Sequence, residues 1–144
     1  MNIRPIVICV FSHNGRILTV EGYDPLKHQI FYRPLGGGIE FGEPSRDALV
    51  REIREELNTA VTDLCYLATL ENIFTFNGRV GHEIVQVYDG RFVKESLYHY
   101  PVIKGLEDNG QPFNAFWKSL SDFEGPKAPP LYPDGLLELL RERL

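Results

Sequence analysis

The chain has 144 residues, 43% of them hydrophobic, 24% charged and 12% aromatic. This is the mix of one globular domain and not that of a disordered or fibrous chain. Fifteen Lys and Arg against 20 Asp and Glu give a net charge of −5, so the chain lacks the basic footprint that duplex DNA or RNA requires. An anionic small molecule stays open as a partner, provided a metal ion or clustered Arg supplies positive charge.

In chain order, Ile3 to Phe11 is rich in β-branched residues and reads as a first strand. Ser12-His13-Asn14-Gly15 supplies turn chemistry, and Arg16 to Gly22 follows as the partner of a hairpin. Asp24 to Gln29 contains Pro25 and reads as a loop; Ile30 to Arg33 is a short extended piece. The run Gly36-Gly37-Gly38 implies a backbone that bends tightly or approaches something closely. From Pro44 to Leu57 the pattern is helical, with Pro44 at the start and Asn58 suited to a left-handed end. Val61 to Leu70, Ile73 to Phe76 and Glu83 to Phe92 read as strands, with a turn at Asn77-Gly78-Arg79. Tyr98 to Pro112 is poorly patterned and reads as loop. Ala115 to Lys118 is a short strand, and Ser119 to Phe123 a turn or helical start. Gly125 to Pro133 holds four prolines and reads as a rigid surface connection before a helix from Leu136 to Leu144, capped by Asp134. The expected class is α/β or α+β, with a central mixed or antiparallel sheet.

The longest apolar run, Ile6 to Phe11, is far shorter than the roughly 20 residues of a spanning helix, and no secretory pattern opens the chain. Cys9 and Cys65 each sit among apolar residues and read as two buried thiols, which points to the cytoplasm. No membrane partner is expected.

The chemistry concentrates between Gly37 and Asn58. At 100° per residue, Glu52, Glu55 and Glu56 share one helix face, while Leu49, Val50, Ile53 and Leu57 fall on a neighbouring face that can pack on a sheet. Two carboxylates about 5 Å apart repel by roughly 3 kcal/mol at an effective dielectric of 20. Solvent, an arginine or a divalent cation relieves that repulsion, and hard cations such as Mg²⁺ favour such oxygen donors. Arg33, just before the glycines, is either placed to meet a substrate phosphate or an ordinary surface charge. Phe31, Phe74 and Phe76 are candidates for stacking on a base, with a core role the plainer reading.

The spaced pattern Gly37-x5-Glu43-x7-Arg51-Glu52-Ile53-Arg54-Glu55-Glu56 resembles the signature box of the Nudix hydrolases. The box departs from the usual pattern at Asn58 and Thr59, neither of which is a ligand position. The resemblance implies a single Nudix domain over residues 1–144, an α/β/α sandwich around a mixed sheet. It implies Mg²⁺-dependent hydrolysis (Mn²⁺ substituting) of a phosphoanhydride in a nucleoside diphosphate linked to another group. Nucleoside triphosphates, ADP-ribose and other nucleotide sugars, and dinucleoside polyphosphates all fit that description. Glu52, Glu55 and Glu56 then resemble the catalytic, metal-binding carboxylates, with the Gly37 carbonyl as a backbone ligand and Arg51 and Glu43 as a structural pair. Glu52 is one candidate base; Glu83, Glu95 and Glu107 are others, with Glu83 ranked first of these as an extra metal ligand. The family often dimerises, which leaves a homodimer open. A nucleotide-sensing module without catalysis is the alternative, disfavoured because the carboxylate triplet is intact.

Overall fold

The computed structural model describes all residues, 1–144. Eight strands are present: β1 (Arg4–His13), β2 (Arg16–Asp24), β3 (Gln29–Arg33), β4 (Leu35–Gly38), β5 (Val61–Phe76), β6 (Arg79–Phe92), β7 (Val102–Leu106) and β8 (Pro112–Ser119). Two helices, α1 (Ser45–Leu57) and α2 (Leu136–Arg141), and two single 3₁₀ turns complete the chain.

The sheet is mixed and splits around the β1–β2 hairpin. One half runs β5-β6-β1-β4 and the other β3-β2-β8-β7. Only β1 and β6 are parallel, with Ile6 opposite Val85 and Ile8 opposite Val87. The β1–β2 and β5–β6 turns place Asn14 and Gly15, then Asn77 and Gly78, at positive φ, the conformation that right-twisted hairpins demand.

Because strand side chains alternate, β1 feeds two cores. Val7, Cys9 and Phe11 face one, shared with Ala48, Leu49 and Ile53 of α1. Ile6, Ile8 and Val10 face the other, shared with Leu136 and Leu140 of α2. The helices thus cover opposite faces of the sheet, an α/β/α sandwich as expected. Leu49 and Ile53 are fully buried; truncating such a side chain to Ala costs about 2–5 kcal/mol. Phe11 and Phe92 stack at 3.9 Å between ring centres in the first core. No helix is long and apolar enough to cross a membrane.

Several expectations are corrected. Residues 98–112 are not all loop: β7 pairs along its length with β8, which begins at Pro112. Gly36 to Gly38 do not form a bend; they lie in β4, antiparallel to β1. There the glycines serve close approach, since a Cβ at Gly36 would overlap the Val7 carbonyl. The two strand segments between Val61 and Phe76 are one long strand. Val50 points to solvent, one position off the apolar stripe. Gly135, not Asp134, caps α2, which ends at Arg141. Cys65 is exposed on β5, an edge strand whose alternation is broken by register shifts at Thr62/Cys65 and Tyr66/Ala68; only Cys9 is buried, and both thiols are free.

Candidate metal and substrate site

The site begins with α1 and the strand beneath it. Pro44 enters in extended conformation, and the helix stops where Asn58 turns left-handed (φ 52°, ψ 44°) and its N–H donates to the Arg54 carbonyl. The start of α1 is tied to β6 by Ser45 Oγ and Tyr88 Oη, 2.7 Å apart.

One turn of the helix carries carboxylates inward. Glu52 is only 3% exposed and Glu56 8%, values more typical of core leucines. Gly37 makes room for Glu52: a Cβ at that position would overlap the Glu52 carboxyl group. Glu55 stays half exposed. Asp108, on the exposed β7–β8 turn, meets them from the opposite wall. Carboxylate oxygens of Glu52, Glu55 and Asp108 all lie within 4.8 Å of one another. They open onto a cleft of about 510 Å³, which Arg4, Arg51 and Glu107 also line.

Arg51 holds this arrangement. Its Nε and Nη2 donate to Glu43 Oε2 (3.1 Å) and Oε1 (2.6 Å), a bidentate pair. Nη2 also reaches the Gly38 carbonyl at 2.9 Å, and Nη1 donates to Glu52 Oε1 at 3.0 Å and Glu55 Oε2 at 3.4 Å. One guanidinium therefore fixes the glycine strand, the loop into α1 and two clustered carboxylates. The hydrogen bonds from Arg51 hold the Glu43 carboxyl below its usual range, aided by the Glu40 N–H.

Burial raises the Glu52 pKa, opposed by Arg51. Glu56 is pushed up to about 8, first by burial and then by the neighbouring charge of Glu52, with Arg33 pulling the other way. Glu56 Oε1 is buried and has no hydrogen-bond partner. A buried carboxylate without a partner beside a second buried carboxylate is costly unless it keeps its proton or a cation joins them. The donors are all carboxylate oxygens, which suit Mg²⁺ or Mn²⁺ and not the softer metals that thiolate sites hold. The residues present therefore fit a hard divalent cation.

A NUDIX domain model matches residues 1–133. The chain belongs to the NUDIX family. That membership marks it as a pyrophosphatase-type hydrolase, of a family that generally uses divalent metals on nucleotide substrates. NUDIX structures share its fold. A MutT NUDIX hydrolase from Burkholderia pseudomallei is 21% identical with a TM-score of 0.64, covering 100% of both chains. A NUDIX hydrolase from Nitrosomonas europaea is 16% identical (TM-score 0.65; 98% of this chain, 88% of that one). An ADP-ribose pyrophosphatase from Streptococcus suis is 17% identical (TM-score 0.60; 99% and 94%). No curated protein sequence matches the chain.

In this NUDIX chain the residues singled out from sequence divide in two. Gly37, Glu43, Arg51, Glu52 and Glu55 are brought together at the cleft, and Glu56 lies buried near Glu52, outside the carboxylate cluster. Glu83 is not: it lies in a neighbouring cavity, 3.7 Å from Arg4, and is no member of the carboxylate cluster. Glu95 pairs with Arg91 at 3.6 Å, on a 3₁₀ turn apart from the cleft. Arg33 lies 3.9 Å from Glu107, so both stand where cleft and cavity adjoin. Asp108 and Arg4 were not singled out from sequence. Asn109-Gly110, a dipeptide of the same type as Asn14-Gly15, was the available sign of a hairpin turn beside Asp108.

Proposed function

We propose that the chain, working as one NUDIX unit over residues 1–144, is a Mg²⁺-dependent pyrophosphohydrolase. Its substrate is a nucleoside diphosphate linked to another group, the class that includes nucleoside triphosphates and ADP-ribose. The observation that supports this most is the meeting of Glu52, Glu55 and Asp108 within 4.8 Å over a glycine strand.

Glu52, Glu55 and Glu56 hold the cation, with Asp108 and the Gly37 carbonyl completing its surroundings. When bound, the cation neutralises phosphate oxygens and lowers the pKa of a water. Arg51, pinned by Glu43, keeps the carboxylates in place while substrate enters and leaves. Arg33 and Arg4, at the rim between cleft and cavity, take phosphate oxygens by charge-assisted hydrogen bonds. A carboxylate of the cleft, Glu52 or Glu107, accepts the proton of the attacking water. Placing water and phosphorus in one small cleft removes the entropy cost of their meeting. The free thiols accord with a reducing cytoplasm.

The test is a nucleotide panel assayed with Mg²⁺ and with Mn²⁺. Metal-dependent release of phosphate or nucleoside monophosphate from at least one member is expected. Binding of nucleotide without turnover of any would favour a sensing module instead.

A further inference from the structure

A second cavity, of about 330 Å³, adjoins the acidic cleft. That volume is at the lower end of small-molecule sites, which run roughly 300–1,000 Å³. Arg4 lines both spaces, and the Arg33–Glu107 pair joins their walls. A molecule seated in the cavity therefore presents its far end to the carboxylates.

The cavity has aromatic walls and a polar floor. Phe31 and Phe74 lie across Gly22 and Gly81 of the neighbouring strands, where any Cβ would overlap their rings. Phe31 meets Phe76 and Tyr132 edge-on at 5.9 and 5.7 Å, so the aromatic groups brace one another. The floor follows from register. Arg4 lies opposite Glu83 across β1 and β6, and Glu83 lies opposite Asn72 across β6 and β5, so all three stand in one row. Arg4 is at the exposed end, and Asn72, 4% exposed, is at the buried end.

Asn72 is oriented. Its Oδ1 accepts the Asp134 backbone N–H at 3.1 Å, which fixes Nδ2 as the other branch. Nδ2 has no acceptor in the protein, yet it is not sealed off; the one buried side-chain atom without a partner is Glu56 Oε1. It is thus a donor left open on the cavity floor. The carboxylates nearby are spoken for. Asp24 accepts the N–H groups of Leu26 and Lys27 on one oxygen and of Asn77 on the other, and Glu83 faces Arg4.

We infer that this cavity holds the substrate's base and that Asn72 Nδ2 donates to the carbonyl at purine C6 or pyrimidine C4, selecting 6-oxopurines and uracil over adenine and cytosine. This rests on the nucleotide-hydrolase reading and names its substrate class. An amino group at that place would set hydrogen against hydrogen and leave the Asn72 donor unpaired. The discrimination expected from one unpaired buried donor is about tenfold to a hundredfold.

The experiment titrates the metal-free protein calorimetrically with IMP against AMP and UMP against CMP, pairs that differ where carbonyl replaces amino. IMP and UMP are expected to bind at least about tenfold tighter. Asn72→Asp keeps the acceptor for Asp134 and replaces the donor by an acceptor, so the preference shrinks or reverses. Equal affinity within both pairs, or no binding of any of the four, overturns the inference, and the wild-type titrations decide this even if the Asp variant does not fold. The two readings fail separately. A protein that prefers IMP but hydrolyses nothing sinks only the hydrolase reading; an active hydrolase indifferent to the base sinks only this one.

Discussion

Replacing Glu56 by Gln removes one charge while keeping the side chain's shape, and its effect on stability follows from the surroundings of Glu56. In the metal-free protein this carboxyl titrates near 8 against an ordinary 4.5, because burial and the charge of Glu52 both disfavour ionisation. The folded state thus holds the proton more tightly than the unfolded state. Stability is fully present below about pH 4.5 and is lost as pH rises toward 8, at about 1.4 kcal/mol per pH unit. By pH 8 the loss reaches an upper limit of about 5 kcal/mol, which at about 3 °C per kcal/mol is some 10–15 °C in Tm. Gln does not titrate, so E56Q is expected to melt well above wild type at pH 8 in EDTA and close to it at pH 5. Saturating Mg²⁺ at pH 8 raises the wild-type Tm by mass action on the folded state and raises that of E56Q less, since only Glu52, Glu55 and Asp108 then remain to hold the ion. Thermal melts at pH 5, 6.5 and 8, with EDTA or Mg²⁺, measure all of this. Parallel pH slopes in the two proteins would refute the assignment of a strained, cation-seeking carboxylate.

Three further substitutions probe the same cleft. Gly37→Ala puts a methyl group where the Glu52 carboxyl lies, in a strand whose backbone accepts alanine. Turnover should fall by about 10²-fold, as for a misplacement of about 1 Å, while circular dichroism shows the fold retained; unchanged kcat would mean that Glu52 need not sit there. Arg51→Lys loses the bidentate grip on Glu43 and the fork that reaches Gly38, and kcat/KM should drop about 10–100-fold with weaker metal binding. Asp108→Asn removes the member of the cluster contributed by the β7–β8 turn. Calorimetric titration should show Mn²⁺ binding weakened by about tenfold or more, with melting unchanged because the residue is exposed.

What the sequence disclosed was mostly local. Helical spacing alone put Glu52, Glu55 and Glu56 on one face, and the left-handed tolerance of Asn58 placed the end of α1 correctly. The contribution of Asp108 was hidden, because it depends on β7 pairing with β8, and Lys104 and Gly105 blur the alternation that would mark β7 as a strand. The same holds for Glu83. Its position before an apolar run says nothing of direction, and the parallel register with β1 turns it toward Arg4 and Asn72. Cys65 misled because apolar neighbours signal burial only where a strand alternates regularly, and β5 is an edge with two register shifts.

The parallel pairing of β1 with β6 also bears on how the chain reaches its native state. Ile6 to Phe11 are the apolar spine of both cores, yet their partners on β6 begin only at Val85. During synthesis the spine emerges from the ribosome with more than half the polypeptide still to come; before β6 and α2 are made, only the β1–β2 hairpin, β4 and α1 can shield it, and α1 covers one face alone. Contacts so distant in sequence make for slow collapse and a sticky nascent intermediate. Overproduction at high temperature should therefore send this chain into inclusion bodies more readily than its final burial would suggest.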